Sequence, residues 1–340
     1  MDSISQAALG AIVGYIIAGK KYKKKSLLWG AVVATLPDLD FIPMIPFNDE
    51  LMYIKHHRGI THSLLFCIVA PLLLSPLLKK KFSIPKLTTF WFGFWVLLTH
   101  AFLDVLNVWG TAIFWPLNHR IALNTLFIID PLYTVPLLTS ILFILLSKKT
   151  IYREKTALIG LILSTCYVIW GLGVKMSMNK HFEDVFFSSK PQILRYTTIP
   201  TPFNTLLWAS VAETKDNFYF TTLSIFNKKN TEPSLYEIKK NHSILPSNLH
   251  PKISDLIRIT KGYFSIEKTS NGLLLHDLRY GLLGFPEKNG EMPVFSYLIQ
   301  ELDTHEVIIT PIRPQTKNIS MTSILTEIGN KLKEDLKGKG

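Results

Sequence analysis

Between Asp38 and Asp104, ionisable residues recur inside strongly apolar sequence: Pro37-Asp38-Leu39-Asp40, then His56-His57-Arg58-Gly59-Ile60-Thr61-His62-Ser63, then His100 with Asp104. Imidazole and carboxylate groups together are the ligands of a borderline-to-hard divalent ion. Beside membrane-spanning segments such groups are costly unless they pair with one another or with a cation. A divalent metal held by membrane helices, zinc first and manganese second, satisfies both conditions. His100 and Asp104 are four residues apart, so on a helix they leave the same face with about 6 Å of axial rise between them. Alone, that spacing fits a structural His–Asp hydrogen bond better than a metal site. His57 and His62 move the balance toward metal. Asp38 and Asp40 move it further, because two neighbouring carboxylates need a cation or a shared proton.

The surrounding residues suggest roles without fixing them. Arg58 and Arg120 suit an anionic substrate, since guanidinium forks match phosphate oxygens. Interfacial snorkelling or a carboxylate partner explains them as well. His56 reads as a residue of the membrane interface. Asp130 precedes Pro131, so capping a helix competes with a ligand role. Thr61 and Ser63 fit either support of the neighbouring ligands or a helix start. There is no Gly-rich phosphate loop and no nucleophile elbow, which disfavours a serine hydrolase.

As an enzyme, the chain would use metal-activated water on a phosphoester or ester. Asp38 or Asp40 would act as the base, and Arg58 or Arg120 would stabilise the developing charge. A site at the end of a membrane bundle suits a lipid or lipid-linked substrate. The alternative is a non-enzymatic membrane scaffold or metal-binding protein with a structural metal or a His–Asp network. Transport fits poorly, because the halves of the segments nearer the lysine loops are mostly Leu, Ile, Val and Phe.

Length and composition set the frame for these residues. The chain has 340 residues, 48% of them hydrophobic, and a net charge of +12. Residues 1–174 alternate apolar runs with lysine-rich loops, whereas 175–340 read as an ordinary polar chain. Six apolar segments are expected: Ala7–Ala18, Leu27–Leu36, Ile60–Leu78, Thr88–Val108, Leu126–Leu146 and Ala157–Val174. The first two are short for a span, and Pro71, Pro76, Pro131 and Pro136 break or kink two others. The basic runs Lys20–Lys25, Lys79–Lys86 and Lys148–Lys155 alternate with the segments and share one side, the cytoplasm by the positive-inside rule. Every candidate ligand then falls on the opposite face, together with the C-terminal region.

That region is expected to be an α+β or mainly β accessory domain. Strands are predicted over Thr205–Ala212, Phe218–Phe226, Gly272–Leu278, Pro293–Ile299 and Glu306–Thr310, turns at Asn271-Gly272 and Asn289-Gly290, and a helix over Ile319–Leu336. The lysines sit where juxtamembrane anchors sit and accompany no nucleic-acid motif, so the bilayer, not nucleic acid, is the expected partner. Cys67 and Cys166 offer neither a disulfide framework nor a CxxC pair. No cleaved signal peptide is expected.

Several motifs carry a resemblance. Met1-Asp2-Ser3-Ile4-Ser5-Gln6, Leu36-Pro37-Asp38-Leu39-Asp40, His57-Arg58-Gly59-Ile60-Thr61-His62-Ser63, Thr99-His100-Ala101-Phe102-Leu103-Asp104 and Trp109-Gly110-Thr111 resemble the YdjM-type membrane-bound metal-dependent hydrolases. Longer members are similar again at Ile129-Asp130-Pro131-Leu132-Tyr133-Thr134, at 200–208 and at Asp277-Leu278-Arg279-Tyr280-Gly281. The resemblance implies an integral protein of the inner, or cytoplasmic, membrane with hydrolase activity. Its helical core is distantly similar to zinc-dependent phospholipase C proteins. It implies a metal set of Asp38, Asp40, His57, His62, His100 and Asp104. Many relatives have Thr-His where this chain has Ser5-Gln6, which would leave one ligand position empty or filled by water.

Overall fold

The computed structural model describes all residues except Asn48, Ser83, Asn118 and the stretches 190–191, 228–234, 284–291, 302–305, 313–320 and 338–340. Among the described residues the chain divides into two compact units. One comprises Met1–Asn48, His56–Leu172 and Pro202–Asn204, the other Asp49–Lys55, Gly173–Thr201 and Thr205–Gly340.

The first unit is helical. Asp2 caps helix α1 (Ser3–Tyr22), its carboxylate accepting from the amides of Ile4 and Ser5. The helix stops where Lys23 turns to φ 53° and its amide closes onto Gly19 O. Helix α2 (Lys25–Thr35) folds back along α1. A Cβ on Gly30 would strike the carbonyl of Gly10, and one on Gly10 would strike Ala34. The two backbones therefore touch directly, the small-residue packing of membrane helices.

Pro37 has no amide hydrogen with which to continue the helical ladder, although Leu36 before it keeps helical angles. There α2 gives way, with a 41° bend, to a 3₁₀ stretch, Pro37–Phe47. After α3 (Glu50–His56), a single 3₁₀ turn, Ile60–His62, leads through a sharp bend into α4 (Leu64–Phe82). Helices α5 (Lys86–Val105), α6 (Pro131–Leu146) and α7 (Thr150–Ser189) follow.

By length and apolarity α1, α5 and α7 can each cross a membrane; the total is five if each bent pair is one span, and α6 is a shorter apolar helix. Ile12, Tyr15, Leu126, Leu137 and Ile144 fill the core, while Leu73, Leu77, Phe143, Leu163 and Trp170 point outward. Such an apolar exterior suits lipid contact. Several boundaries differ from the sequence expectation, two of them for a clear physical reason. Helix α6 begins at Pro131 and not Leu126, because Leu123 and Thr125 hydrogen-bond back to Val105 and Leu106 and hold that stretch in an extended loop. Helix α7 runs past Val174 to Ser189, although polar residues begin at Lys175; from Gly173 it belongs to the second unit, within which Met178, Phe182 and Phe186 keep it helical by burying with Trp208 and Leu223.

The second unit contains two four-stranded antiparallel sheets. The first is β1 (Arg195–Pro200), β2 (Leu207–Glu213), β3 (Asn217–Ser224) and β4 (Tyr236–Lys239). After α8 (Pro251–Ile259), the second is β5 (Phe264–Thr269), β6 (Gly272–Leu283), β7 (Met292–Glu301) and β8 (Val307–Ile312). The five expected strands are β2, β3, β6, β7 and β8. The Asn271-Gly272 turn joins β5 to β6, with Gly272 at φ 136°. The predicted turn at Asn289-Gly290 lies outside the described residues, as does the expected start of the last helix at Ile319; α9 is described over Met321–Lys337.

Candidate metal centre

Each functional side chain is delivered by a break in a helix or by a helix end. The bend after α2 presents Asp38 and Asp40. The 3₁₀ turn before α4 presents His62. The last turns of α5 present His100 and Asp104 from one face, as their spacing requires.

Asp38, His62, His100 and Asp104 each offer an atom within 4.8 Å of all the others. His100 Nε2 is 3.0 Å from His62 Nε2. His62 Nε2 is 3.3 Å from Asp38 Oδ1 and 3.2 Å from Asp104 Oδ2. His100 Nε2 is 3.6 Å from each of the same two oxygens. Four donors about 2.1 Å from a tetrahedral ion stand about 3.4 Å apart along each edge. Five of the six donor–donor distances bracket that edge and the sixth, between the two carboxylates, lies within 4.8 Å, so the four donors can close around one divalent ion. The side chains of His62, His100 and Asp104 are wholly buried, while Asp38 is 22% exposed and marks the open side.

The hydrogen bonds around His62 orient its lone pair. Thr61 Oγ1 donates to Asp40 Oδ2 at 3.0 Å and stands 2.9 Å from His62 Nδ1. A hydroxyl has one proton, already given to the carboxylate, so it accepts from Nδ1–H. In neutral His62 the Nε2 lone pair then faces the cluster, toward two carboxylate oxygens and a second imidazole. Asp104 Oδ2 is buried and accepts no hydrogen bond, despite its closeness to both rings. A cation at the centre would satisfy the facing atoms of all four groups together, leaving His100 Nδ1 buried without a partner.

The remaining candidates flank the four. His57 Nδ1 pairs with Asp40 Oδ1 at 2.7 Å, and Asp40 Oδ2 also accepts the Arg58 amide at 3.0 Å. Asp40 and His57 thus form a pair of their own, with Asp40 Oδ2 3.6 Å from His62 Nδ1. Arg58 is buried, its Nη2 3.3 Å from Asp104 Oδ1. The same oxygen receives the Met1 amino group. Arg120 is half-exposed, next to Ile121, which pairs with Thr111 in an isolated bridge. His56 is exposed. Asp130 caps α6 and accepts the Tyr167 hydroxyl at 3.0 Å.

Two residues gain roles the sequence reading did not give them. Gln6 is wholly buried; its Nε2 donates to Asp104 Oδ1 at 3.1 Å and its Oε1 has no partner. The position at which the resemblance implies a histidine is therefore beside Asp104 and occupied by an amide. Asn107 is also wholly buried and accepts from Arg58 Nη1 at 2.8 Å. The progression His100, Asp104, Asn107, at steps of four and three, was the available clue to it.

The family model described as YdjM inner membrane protein matches residues 1–178. The inner membrane protein YbcI of Escherichia coli (strain K12) is 31% identical over 114 residues, covering 33% of this chain and 64% of that relative. The match thus spans less than two thirds of the relative's own length. No solved structure matches.

Proposed function

The chain belongs to the YdjM inner membrane protein family, and on that premise we propose that it is a membrane-bound metal-dependent hydrolase acting on a phosphoester or ester of a lipid or lipid-linked substrate. One observation carries the reading: Asp38, His62, His100 and Asp104 gather four donor atoms within 4.8 Å of one another, buried except on the side of Asp38, where a bound ion would also take water. A divalent ion bound there, zinc before manganese, supplies Lewis-acid polarisation and an acidified water. Asp38, His62, His100 and Asp104 hold the ion, with Asp40 and His57 fixing His62 from outside. Asp38 and the Asp40–His57 pair lie nearest the open side and take and return the proton. Arg58 opposes the negative charge that develops, and Arg120 is the second candidate for an anionic headgroup. In this reading the accessory unit lies on the non-cytoplasmic side, which the alternation of the lysine loops supports.

A second reading, a metal-free ion-pair network in a scaffold, has its own observation. Arg58 and the Met1 amino group already oppose Asp104. Metal analysis of untagged, detergent-solubilised protein separates the two. Near-stoichiometric zinc or manganese, absent from a His62→Ala, His100→Ala double variant, supports the enzyme, and hydrolysis of a phosphoester and ester panel by the wild type alone completes it. Absence of metal after reconstitution leaves the network.

A further inference from the structure

We infer that Arg58 and Asn107 form an oxyanion subsite beside the centre, which narrows the substrate class to phosphate esters; this rests on the hydrolase reading above. Arg58 is aimed by its backbone. Its φ is 60°, a conformation uncommon outside glycine. Its amide donates to Asp40 Oδ2, and its carbonyl accepts from Ala112 N at 3.0 Å. So pinned, the side chain runs inward to bury against Asp104 and Asn107.

The guanidinium is only partly used. Nη1 donates to Asn107 Oδ1 and Nη2 faces Asp104 Oδ1, but the buried Nε has no partner. Nε and Nη2 make up one edge of the fork, the geometry that grips phosphate oxygens in pairs. Asn107 repeats the pattern. Its Oδ1 accepts from Arg58 Nη1 and from Trp109 N at 3.0 Å, which settles the orientation of the amide. Its Nδ2 is left buried without an acceptor. Thr111 Oγ1, on the same loop, is also buried and unpartnered.

Buried donors without acceptors lose their hydration without return, so their clustering calls for an explanation. Here they belong to a cation and an amide joined by one 2.8 Å hydrogen bond, beside a carboxylate of the candidate centre. A neutral carboxylic ester presents a single carbonyl oxygen. A phosphate ester presents several anionic oxygens, enough to meet these donors while another faces the centre.

The test is titration calorimetry of the full chain in detergent with inorganic phosphate, and separately with short-chain phosphatidic acid in mixed micelles, with and without added zinc. Metal content is measured on the same samples. Asn107→Asp keeps an acceptor for Arg58 and Trp109 but removes the donor; Arg58→Lys keeps the charge but removes the fork. Both should weaken phosphate binding at least about tenfold at unchanged metal content. Tighter binding of phosphatidic acid than of inorganic phosphate assigns the subsite to a lipid headgroup, and the reverse to free phosphate. No phosphate binding by the wild type, or wild-type affinity in folded variants, overturns the inference. If Asn107→Asp does not fold, Arg58→Lys decides alone. Failure of the hydrolase reading looks different: no metal in any sample, whatever phosphate does.

Discussion

His62 Nε2 and His100 Nε2 face each other across 3.0 Å, although one ring comes from a 3₁₀ turn and the other from the end of a helix. Two imidazole nitrogens that close share either a proton or a cation. His62 is prepared for either, because the Thr61 hydroxyl donates to Asp40 and so accepts from His62 Nδ1, which leaves Nε2 a bare lone pair.

Thr61→Val tests that relay. Without the hydroxyl, His62 loses the partner of its Nδ1–H, and its ring is free to turn or change tautomer. Zinc affinity should fall about 10–100-fold, the usual effect of removing an outer partner of a ligating histidine. Competition with a fluorescent chelator measures it. Unchanged affinity would mean that Asp40, 3.6 Å away, orients the ring unaided.

The close approach of α1 and α2 gives a second expectation. Gly30→Val places side-chain atoms against the Gly10 carbonyl and forces apart the helices that carry Gln6 and lead to Asp38. It should cost about 1–3 kcal/mol or more and reduce metal retention as well. Gly173→Ala is the control, since nothing lies within 4 Å of a Cβ added there. That change should be neutral or slightly stabilising in thermal unfolding, because it sits within α7.

The site was legible in sequence where chemistry conflicts with environment. Asp38, Asp40, His57, His62, His100 and Asp104 stood out because carboxylates and imidazoles in apolar segments need a reason, and the helical step from His100 to Asp104 supplied a shared face; nothing in the sequence separated the four that gather from the Asp40–His57 pair. Asn107 did not stand out, since a neutral amide in a loop carries no such conflict until its partners are known, and Gln6 drew notice only through the family resemblance. Likewise the alternating strands of the accessory unit were readable, while β1, β4 and β5 were not. Lys239, Glu267 and Lys268 interrupt the apolar alternation there, and pairing with neighbours decides the structure. Hydropathy ends near Val174, but burial of Phe182 and Phe186 carries α7 further than hydropathy alone can show.

In the accessory unit, buried Arg279 donates from Nε and Nη2 to Asp277, which is wholly buried, at the irregularity between β6 and β7. Asp277→Leu alone should destabilise the unit by about 3–5 kcal/mol, because a buried guanidinium is left unopposed. Asp277→Leu with Arg279→Leu should be milder, since the desolvation cost of both charges disappears. Denaturant unfolding followed by tryptophan fluorescence compares the two. A double variant as unstable as the single would show that the pair shapes the strand irregularity as well as balancing charge.

The accessory unit should also lose stability in two steps as pH falls. Burial holds His276 below the ordinary histidine value, and Glu267 only partly offsets it. The unfolded chain therefore takes up that proton first, so this contribution is full above about pH 6.5 and declines below it. For Glu213, burial acts upward but is outweighed by hydrogen bonds from Lys240 and Arg195, and the carboxyl stays below its ordinary value. Its contribution is full above about pH 4.3 and is lost as pH falls further. Melting curves of the full chain from pH 8 to pH 3.5 should show both declines over the membrane unit's own response. His276→Gln should flatten only the upper decline and Glu213→Gln only the lower, so a variant that leaves its own window unchanged would remove that residue from the account.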